Sequence, residues 1–187
     1  MVYLVKGIDN GGLKMSEKIE LRVLEKEDLE FIHQLNNNAD IMSYWFDESY
    51  KSMSQLEKTY EKNIDDKDAR QFIIEKDNER LGYVALFEID PIHRKAEFGI
   101  MIDPKHQGHG YASVATDLAI DYAFSTLNLN KLYLVVDRIN KKAIHVYEKM
   151  GFEMEALLKE EYFVNGSFHD VSIMSIFQTD YLEKKKK

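Results

Sequence analysis

Between His106 and Phe124 the chain reads HQGHGYASVATDLAIDYAF. Two glycines, Gly108 and Gly110, stand in a short polar loop, and an apolar-periodic run follows at once. Glycines at the mouth of a helix let backbone come close to a ligand. The free N–H groups there, added to the helix dipole, favour an anion. The loop is not a nucleotide-hydrolase loop, because it does not fit GxxxxGK[ST] and no lysine follows Gly110. It is not a dinucleotide loop either, since Ser113 stands where GxGxxG would need its third glycine. The anion expected is a phosphate group of some other ligand. A plain strand-to-helix turn is the competing account of the same residues.

Other chemistries are narrowed by what the chain lacks. With no cysteine there is no disulfide framework, thiol nucleophile or thiolate metal site. The six histidines never take HExxH spacing: His33 and His145 fall on helices, His106 and His109 flank the loop, and His93 and His169 stand at a turn or strand start. Of the net charge of −8, residues 1–14 contribute +1 and the four terminal lysines +4, which leaves −13 on residues 15–183. Such a body repels nucleic acid and attracts small cations. No apolar run approaches the length of a membrane span, and no signal peptide stands at the start, so a cytoplasmic protein without nucleic-acid or membrane partners is expected.

The elements that must position the loop follow from periodicity. IELRVLE (19–25) alternates as a strand, and Glu27-Asp28 opens a helix with Leu29, Phe31, Ile32 and Leu35 on one face, stopped at Asn36-Asn37-Asn38. SYWFDESY (43–50) is an aromatic, acidic connection; Ser54 and Glu57 form a capping box for a second helix reaching about Ile64. Strands 71–76 and 81–90 form a hairpin, and 96–103 is a strand between Pro91 and Pro104. The loop and its helix (about 107–126), a strand at 131–137, a helix at 140–150 and two strands at 154–163 and 168–178 complete the order. The fold class is α/β (α+β): one domain over 15–183, with a mixed, mostly antiparallel sheet and one obvious parallel crossover around the loop helix. The lysines 184–187 read as a solvated basic tail. Gly11-Gly12 would be encoded by GGN-GGN, which can spell a ribosome-binding site with Met15 as the start. Residues 1–14 are therefore expected to be a translated leader.

Gln107-Gly108-His109-Gly110-Tyr111-Ala112 fits the Q/R-x-x-G-x-G/A loop of the GCN5-related N-acetyltransferase (GNAT) superfamily position by position. Asn140, then Ala143-x-x-x-Tyr147-Glu148-Lys149-x-Gly151-Phe152, matches its second signature about 35 residues on. The chain thus resembles that superfamily over 19–182. In NNN…IMSYWFDESY and EIDPIHRKAEF it resembles the bacterial spermidine N-acetyltransferases. The resemblance implies a GNAT fold with about seven strands and about four helices, acetyl-CoA as co-substrate, and polyamine (spermidine or spermine) as acceptor. It implies a homo-oligomer, assembled as a dodecamer.

The resemblance also assigns roles. Tyr147, on its own residues a core aromatic of an amphipathic helix, becomes the general acid that protonates the leaving thiolate. Ile100, Met101 and Ile102 pair with the pantetheine arm through backbone. Gln107, Gly108, His109, Gly110, Tyr111 and Ala112 hold the pyrophosphate. Asn140, Lys142, Ala143 and Lys149 join Tyr147 on the cofactor side, Asn140 being also a plain N-cap candidate. Met42, Asp47, Gln55, Asn63, Ile64, Asp65, Asp66 and Glu97 align with polyamine-contacting positions. Glu97, on the opposite strand face from Ala96 and Phe98, is the acceptor's proton-receiving candidate. Asp47 with Glu88 aligns with an acidic pair able to bind a divalent ion, Mg²⁺ or Ca²⁺. Gln55 and Lys51 depart from the family's usual Glu, Asn63 from its usual His and Ser49 from its usual proline. Fewer charges at 51, 55 and 63 weaken any second, regulatory polyamine site more than the catalytic one.

Two alternatives stay open. The same fold could acetylate a protein N-terminus or a lysine, or the chain could be a non-catalytic CoA-binding sensor. The segment 36–66 is expected to close the polyamine site and to serve as a protomer contact through its cluster Met42, Tyr44, Trp45, Phe46 and Tyr50, against packing of that cluster on its own core.

Overall fold

In the computed structural model, residues 18–185 are described. The proposed leader at 1–14, Met15, and Lys186 and Lys187 lie outside the described residues. Seven strands form one sheet: β1 (Glu20–Val23), β2 (Arg70–Lys76), β3 (Glu79–Asp90), β4 (Lys95–Ile102), β5 (Lys131–Asp137), β6 (Glu153–Val164) and β7 (Ser167–Phe177), in the order β1-β2-β3-β4-β5-β7-β6. Every neighbouring pair is antiparallel except β4 with β5. The α-helices are α1 (Leu29–Asn36), α2 (Ala39–Met42), α3 (Met53–Asn63), α4 (Tyr111–Asp121), α5 (Lys141–Met150) and α6 (Gln178–Lys185). The helix α4 widens into a π turn at Tyr122–Thr126.

Both expected hairpins form. The first turns tightly at Asp77 and Asn78, with φ of 52° and 65°, so β3 starts two residues before the expected strand at 81; the second turns at Asn165 and Gly166, with φ of 48° and 90°. Two consecutive positive-φ residues make the turn whose twist matches the flanking strands.

The parallel pair is the architectural feature that matters most. Its register runs from Lys95 opposite Lys131 to Glu97 opposite Tyr133 and stops there, although β4 continues to Ile102 and β5 to Asp137. The strands therefore separate, and the β5-facing backbone edge of residues 98–102 has no strand partner among the described residues.

Alternation along β4 splits the core into two layers. Ala96 and Phe98 join the larger cluster, with α4, α5, Leu132, Leu134 and Phe152. Met101 joins the smaller one, made with Leu29, Ile32, Leu35 and Ile41 of α1 and α2 and with Ile73 and Tyr83 of the sheet.

Four expectations need correction. The capping box of α3 lies two residues earlier than Ser54 and Glu57: the Gln55 N–H donates to Ser52 Oγ at 3.2 Å, and the Ser52 N–H donates to Gln55 Oε1 at 2.8 Å. Ser52 has the extended backbone a cap requires, whereas Ser54 lies inside the helix. The chain turns helical just after the predicted stop, because Asn38 accepts from the Asp40 and Ile41 N–H groups and starts α2, and the aromatic connection itself opens with a 3-10 turn at Ser43–Trp45. The final strand ends at Phe177, and α6 follows, docked by buried Tyr181 and by a bond from Gln178 Nε2 to the Phe124 carbonyl at 2.8 Å. This helix includes Lys184 and Lys185, two of the four lysines set apart as a tail, and Lys185 pairs with Asp121. Among the described residues the helices number six where about four were expected, the short α2 and the terminal α6 being the additions.

Candidate active site

The glycine loop leaves β4 through a short 3-10 turn at Pro104–His106 and enters α4 at Gly110. Gly108 and Gly110 have φ of 82° and 81°, and a Cβ at either would meet nothing within 4 Å. The loop is thus held by backbone conformation and not by crowding. The N–H groups of residues 108–112 have no acceptor among the described residues, while the next two, Ser113 and Val114, bond to the Gly110 carbonyl. A run of free amides at a helix N-terminus beside the open edge of β4 can hold an anion and an extended chain together. Around it, Gln107 Nε2 donates to the Ile102 carbonyl at 3.2 Å, and the Tyr111 ring stacks on His109 at 5.6 Å.

Asn140 caps α5, its side-chain oxygen accepting from the Ala143 N–H at 3.1 Å. Gly151, at φ 104°, ends the helix. Tyr147 faces the sheet between Phe98 and Phe152, with ring centroids 6.3 and 5.8 Å away. Burial pushes its phenol up to about 12, so it stays protonated at neutral pH. Its hydroxyl makes no hydrogen bond among the described residues. Lys142 and Lys149 are exposed on the same helix. Ile100 and Ile102 pack toward the larger core and Met101 toward the smaller, leaving backbone as what this strand can offer a ligand.

The opposite face of β4 is acidic and aromatic. Glu97 is half-buried, and its carboxyl is raised above the usual range, first by burial and then by the nearby charge of Glu88. Glu88 sits at a register shift in β3 with φ 49°, and its Oε2 accepts from the Tyr133 hydroxyl at 2.9 Å. Tyr133 is raised by burial and by that bond, and it is the register partner of Glu97. Tyr162 is raised by burial, by Glu161 and by Glu97; its ring stacks on Phe46 at 4.2 Å. Trp45 lies over Gly99, where a Cβ would come within 2.6 Å of the indole. Carboxylates walled by aromatic rings suit an alkylammonium group.

Two clefts open beside this cluster. The larger, about 760 Å³, includes Asn63, Asp66, Asp68, Glu88 and Asp90 in its lining and contains no basic side chain there. The smaller, about 240 Å³, is bordered by Met42, Trp45, Asp47, Asn63 and Tyr60, among others. Phe87, the register partner of Glu97, borders both.

The structure thus brings Met42, Asp47, Asn63 and Asp66 to the clefts, with Glu97 beside them. It does not bring Gln55, which is engaged in the helix cap, nor Ile64 and Asp65, which are exposed and line neither cleft. Asp47 pairs with Lys51 at 3.1 Å and Glu88 with Tyr133, and among the described residues no group of three or more His, Asp and Glu is placed to hold a metal ion.

Phe87, Tyr133 and Tyr162 are not singled out by the sequence, whereas Trp45 and Phe46 belong to the aromatic cluster expected near the polyamine site. That cluster turns largely inward: Met42 is buried, Trp45 packs on Tyr83 and Phe87, and Phe46 stacks on Tyr162. Tyr50 and Tyr44 remain exposed, so only part of the expected protomer contact is free to be one.

The acetyltransferase (GNAT) domain family matches residues 18–153. The spermidine N(1)-acetyltransferase of Escherichia coli strain K12 is 48% identical over 171 residues, which span 91% of this chain and 92% of that protein. The crystal structure of spermidine N-acetyltransferase from Vibrio cholerae in complex with CoA and spermine superposes with a TM-score of 0.87 at 50% identity, covering 88% of this chain and 98% of that one. A dodecameric structure of the Vibrio cholerae spermidine N-acetyltransferase gives a TM-score of 0.81 at 50% identity, over 89% and 97% of the two chains. No helix among the described residues is long and apolar enough to cross a membrane.

Proposed function

Since the chain belongs to the acetyltransferase (GNAT) domain family, we propose that it transfers the acetyl group of acetyl-CoA to a primary amine of a polyamine, spermidine or spermine. The observation that carries the acceptor class is the wide cleft with Asp66, Asp68, Glu88 and Asp90 in its lining, opening beside Glu97 and without a basic side chain. An extended cation can place successive ammonium groups on such a row, and the similarity to spermidine N-acetyltransferases agrees with it.

The chemistry divides between the two faces of β4. The loop amides 108–112 and the helix dipole hold the phosphates of acetyl-CoA, and the open edge of residues 98–102 holds its arm. Gln107, Asn140, Lys142 and Lys149 lie close by in sequence to these elements and complete that side. An alkylammonium has a pKa of about 10 and must lose a proton before it can attack. Glu97, raised above the ordinary carboxylate range, takes that proton toward water. The amine nitrogen then bonds to the thioester carbon, the carbon–sulfur bond breaks, and the departing sulfur takes the proton of the Tyr147 hydroxyl; the nitrogen releases its second proton as the amide forms, and a proton from water restores the phenol. A phenol held at about 12 remains a proton donor through the physiological range. Assembly into a homo-oligomer, as in the dodecameric relative, is part of the same proposal.

The test is thiol release from acetyl-CoA with spermidine, spermine and a lysine-rich peptide in parallel. The expected result is turnover with the polyamines well above that with the peptide. A better rate with the peptide would move the acceptor to a protein amine. Binding of acetyl-CoA with no thiol release from any acceptor would leave a non-catalytic sensor.

A further inference from the structure

A buried carboxylate outside the roles above lies at the far end of β5. Asp137 is 2% exposed and sits where β5 has parted from β4. Alternation from Tyr133 through Val135 puts it on the sheet face of Glu97. Its Oδ2 meets His169 Nδ1 at 2.6 Å, and its Oδ1 accepts from the Ile139 N–H at 3.0 Å. Its own carbonyl accepts from the Asn140 N–H at 2.9 Å. The far nitrogen of the imidazole, Nε2, stands 3.0 Å from the Ser167 hydroxyl. In the neutral ring, Nδ1 donates to the carboxylate and Nε2 accepts from the serine, so each polar atom of the array has a partner.

A buried carboxylate without compensation is costly, and one with two good partners is fixed in place. What this one fixes is the turn 137–140. The last residue of that turn, Asn140, caps α5, and Tyr147 follows seven residues on, two helical turns along the same face. His169 reaches the turn from β7, where it pairs with Tyr162 of β6. The array therefore ties the start of the α5 helix to the β6–β7 hairpin.

We propose that Asp137 and His169 are positioning residues for acetyl transfer, holding the 137–140 turn in the one arrangement that sets α5 and the Tyr147 hydroxyl. The proposal rests on the role given to Tyr147 above. A displacement of about 1 Å at a reacting group can cost as much as a hundredfold in rate, so loosening this turn should be visible in kcat.

The experiment compares His169→Ala, His169→Asn and Asp137→Asn, each alone and with Tyr147→Phe, by steady-state kinetics and thermal melting. Asparagine keeps a donor near the place of Nδ1, and Asp137→Asn keeps the acceptor for Ile139. His169→Ala should lower kcat roughly tenfold, with the KM for spermidine little changed, and His169→Asn should restore most of the rate. With Tyr147→Phe present, His169→Ala should cost little more, because the array acts through the tyrosine. A wild-type kcat in His169→Ala, equal losses in the alanine and asparagine variants, or full additivity with Tyr147→Phe would each overturn the proposal. If His169→Ala does not fold, Asp137→Asn carries the comparison: a kcat loss absent from the Tyr147→Phe background supports it, and an unchanged kcat overturns it. If Tyr147→Phe alone is silent, the general-acid role fails, and alanine against asparagine at 169 still decides whether the turn matters to the rate.

Discussion

The two faces of β4 are built in opposite ways. On the side proposed for the cofactor the features are backbone ones: two positive-φ glycines, a run of free amides and a strand edge left open where β5 departs. On the side proposed for the acceptor they are side chains drawn from scattered elements: Trp45 and Phe46 beyond α2, Glu88 at the β3 bulge, Glu97, Tyr133 and Tyr162. A backbone site is set by a short stretch of chain, so it holds one kind of chemical group whatever surrounds it. A side-chain site is set by the packing of distant elements, so single substitutions can retune what it accepts.

That contrast can be broken or sharpened by substitution. The largest effect is expected where the faces meet. Tyr147→Phe should lower kcat by about 10²–10⁴-fold while calorimetry shows acetyl-CoA still bound. Near-wild-type turnover would return Tyr147 to the role of a core ring between Phe98 and Phe152.

Next comes the backbone side. A valine at Gly110 must adopt φ 81°, strain on the order of 1–3 kcal/mol. Nothing crowds that position, so the fold should survive and the KM for acetyl-CoA should rise about tenfold, with the KM for spermidine unchanged. A rise in both constants would show that the faces are not separable.

Gly99→Ala is the counterpart on the side-chain face. The new methyl meets Trp45, which must move. The expected result is a several-fold rise in the KM for spermidine at constant KM for acetyl-CoA, read from initial rates.

The smallest effect concerns pH. Glu97 must be ionised to receive a proton, and its carboxyl is raised by burial and then by Glu88. The acid limb of kcat/KM should therefore lie above the ordinary glutamate range, with activity lost as pH falls through it. Glu88→Gln removes a like charge and should move that limb to lower pH. A limb that moves up would mean that Glu88 does not act on Glu97 through its charge.

The same contrast explains what the sequence revealed. The Gln107–Ala112 loop, its strand and its helix are contiguous, so spacing shows a glycine loop opening a helix, and the resemblance makes it the cofactor loop. Tyr147, on its own residues a core aromatic of the helix that Asn140 caps, gains its catalytic role only through the resemblance. The face of Glu97 follows from alternation along one strand, and its expected role from the resemblance. Tyr133 and Tyr162 escape notice, since nothing local says that β5 and β6 bring them to Glu97 and Phe46. The box at Ser52 and Gln55 was missed because two serines two residues apart both offer a cap, and only backbone conformation chooses between them. Gln55 is a ligand contact only by resemblance, and within one chain its side chain is engaged in the cap. The α6 helix was missed because its docking depends on Phe124 and Asp121, far away in the chain.

The most direct test of the account is to identify the product. After reaction of acetyl-CoA with spermidine, mass spectrometry should show acetylated spermidine accumulating in step with the released thiol. Thiol release without any acetylated polyamine would contradict the account.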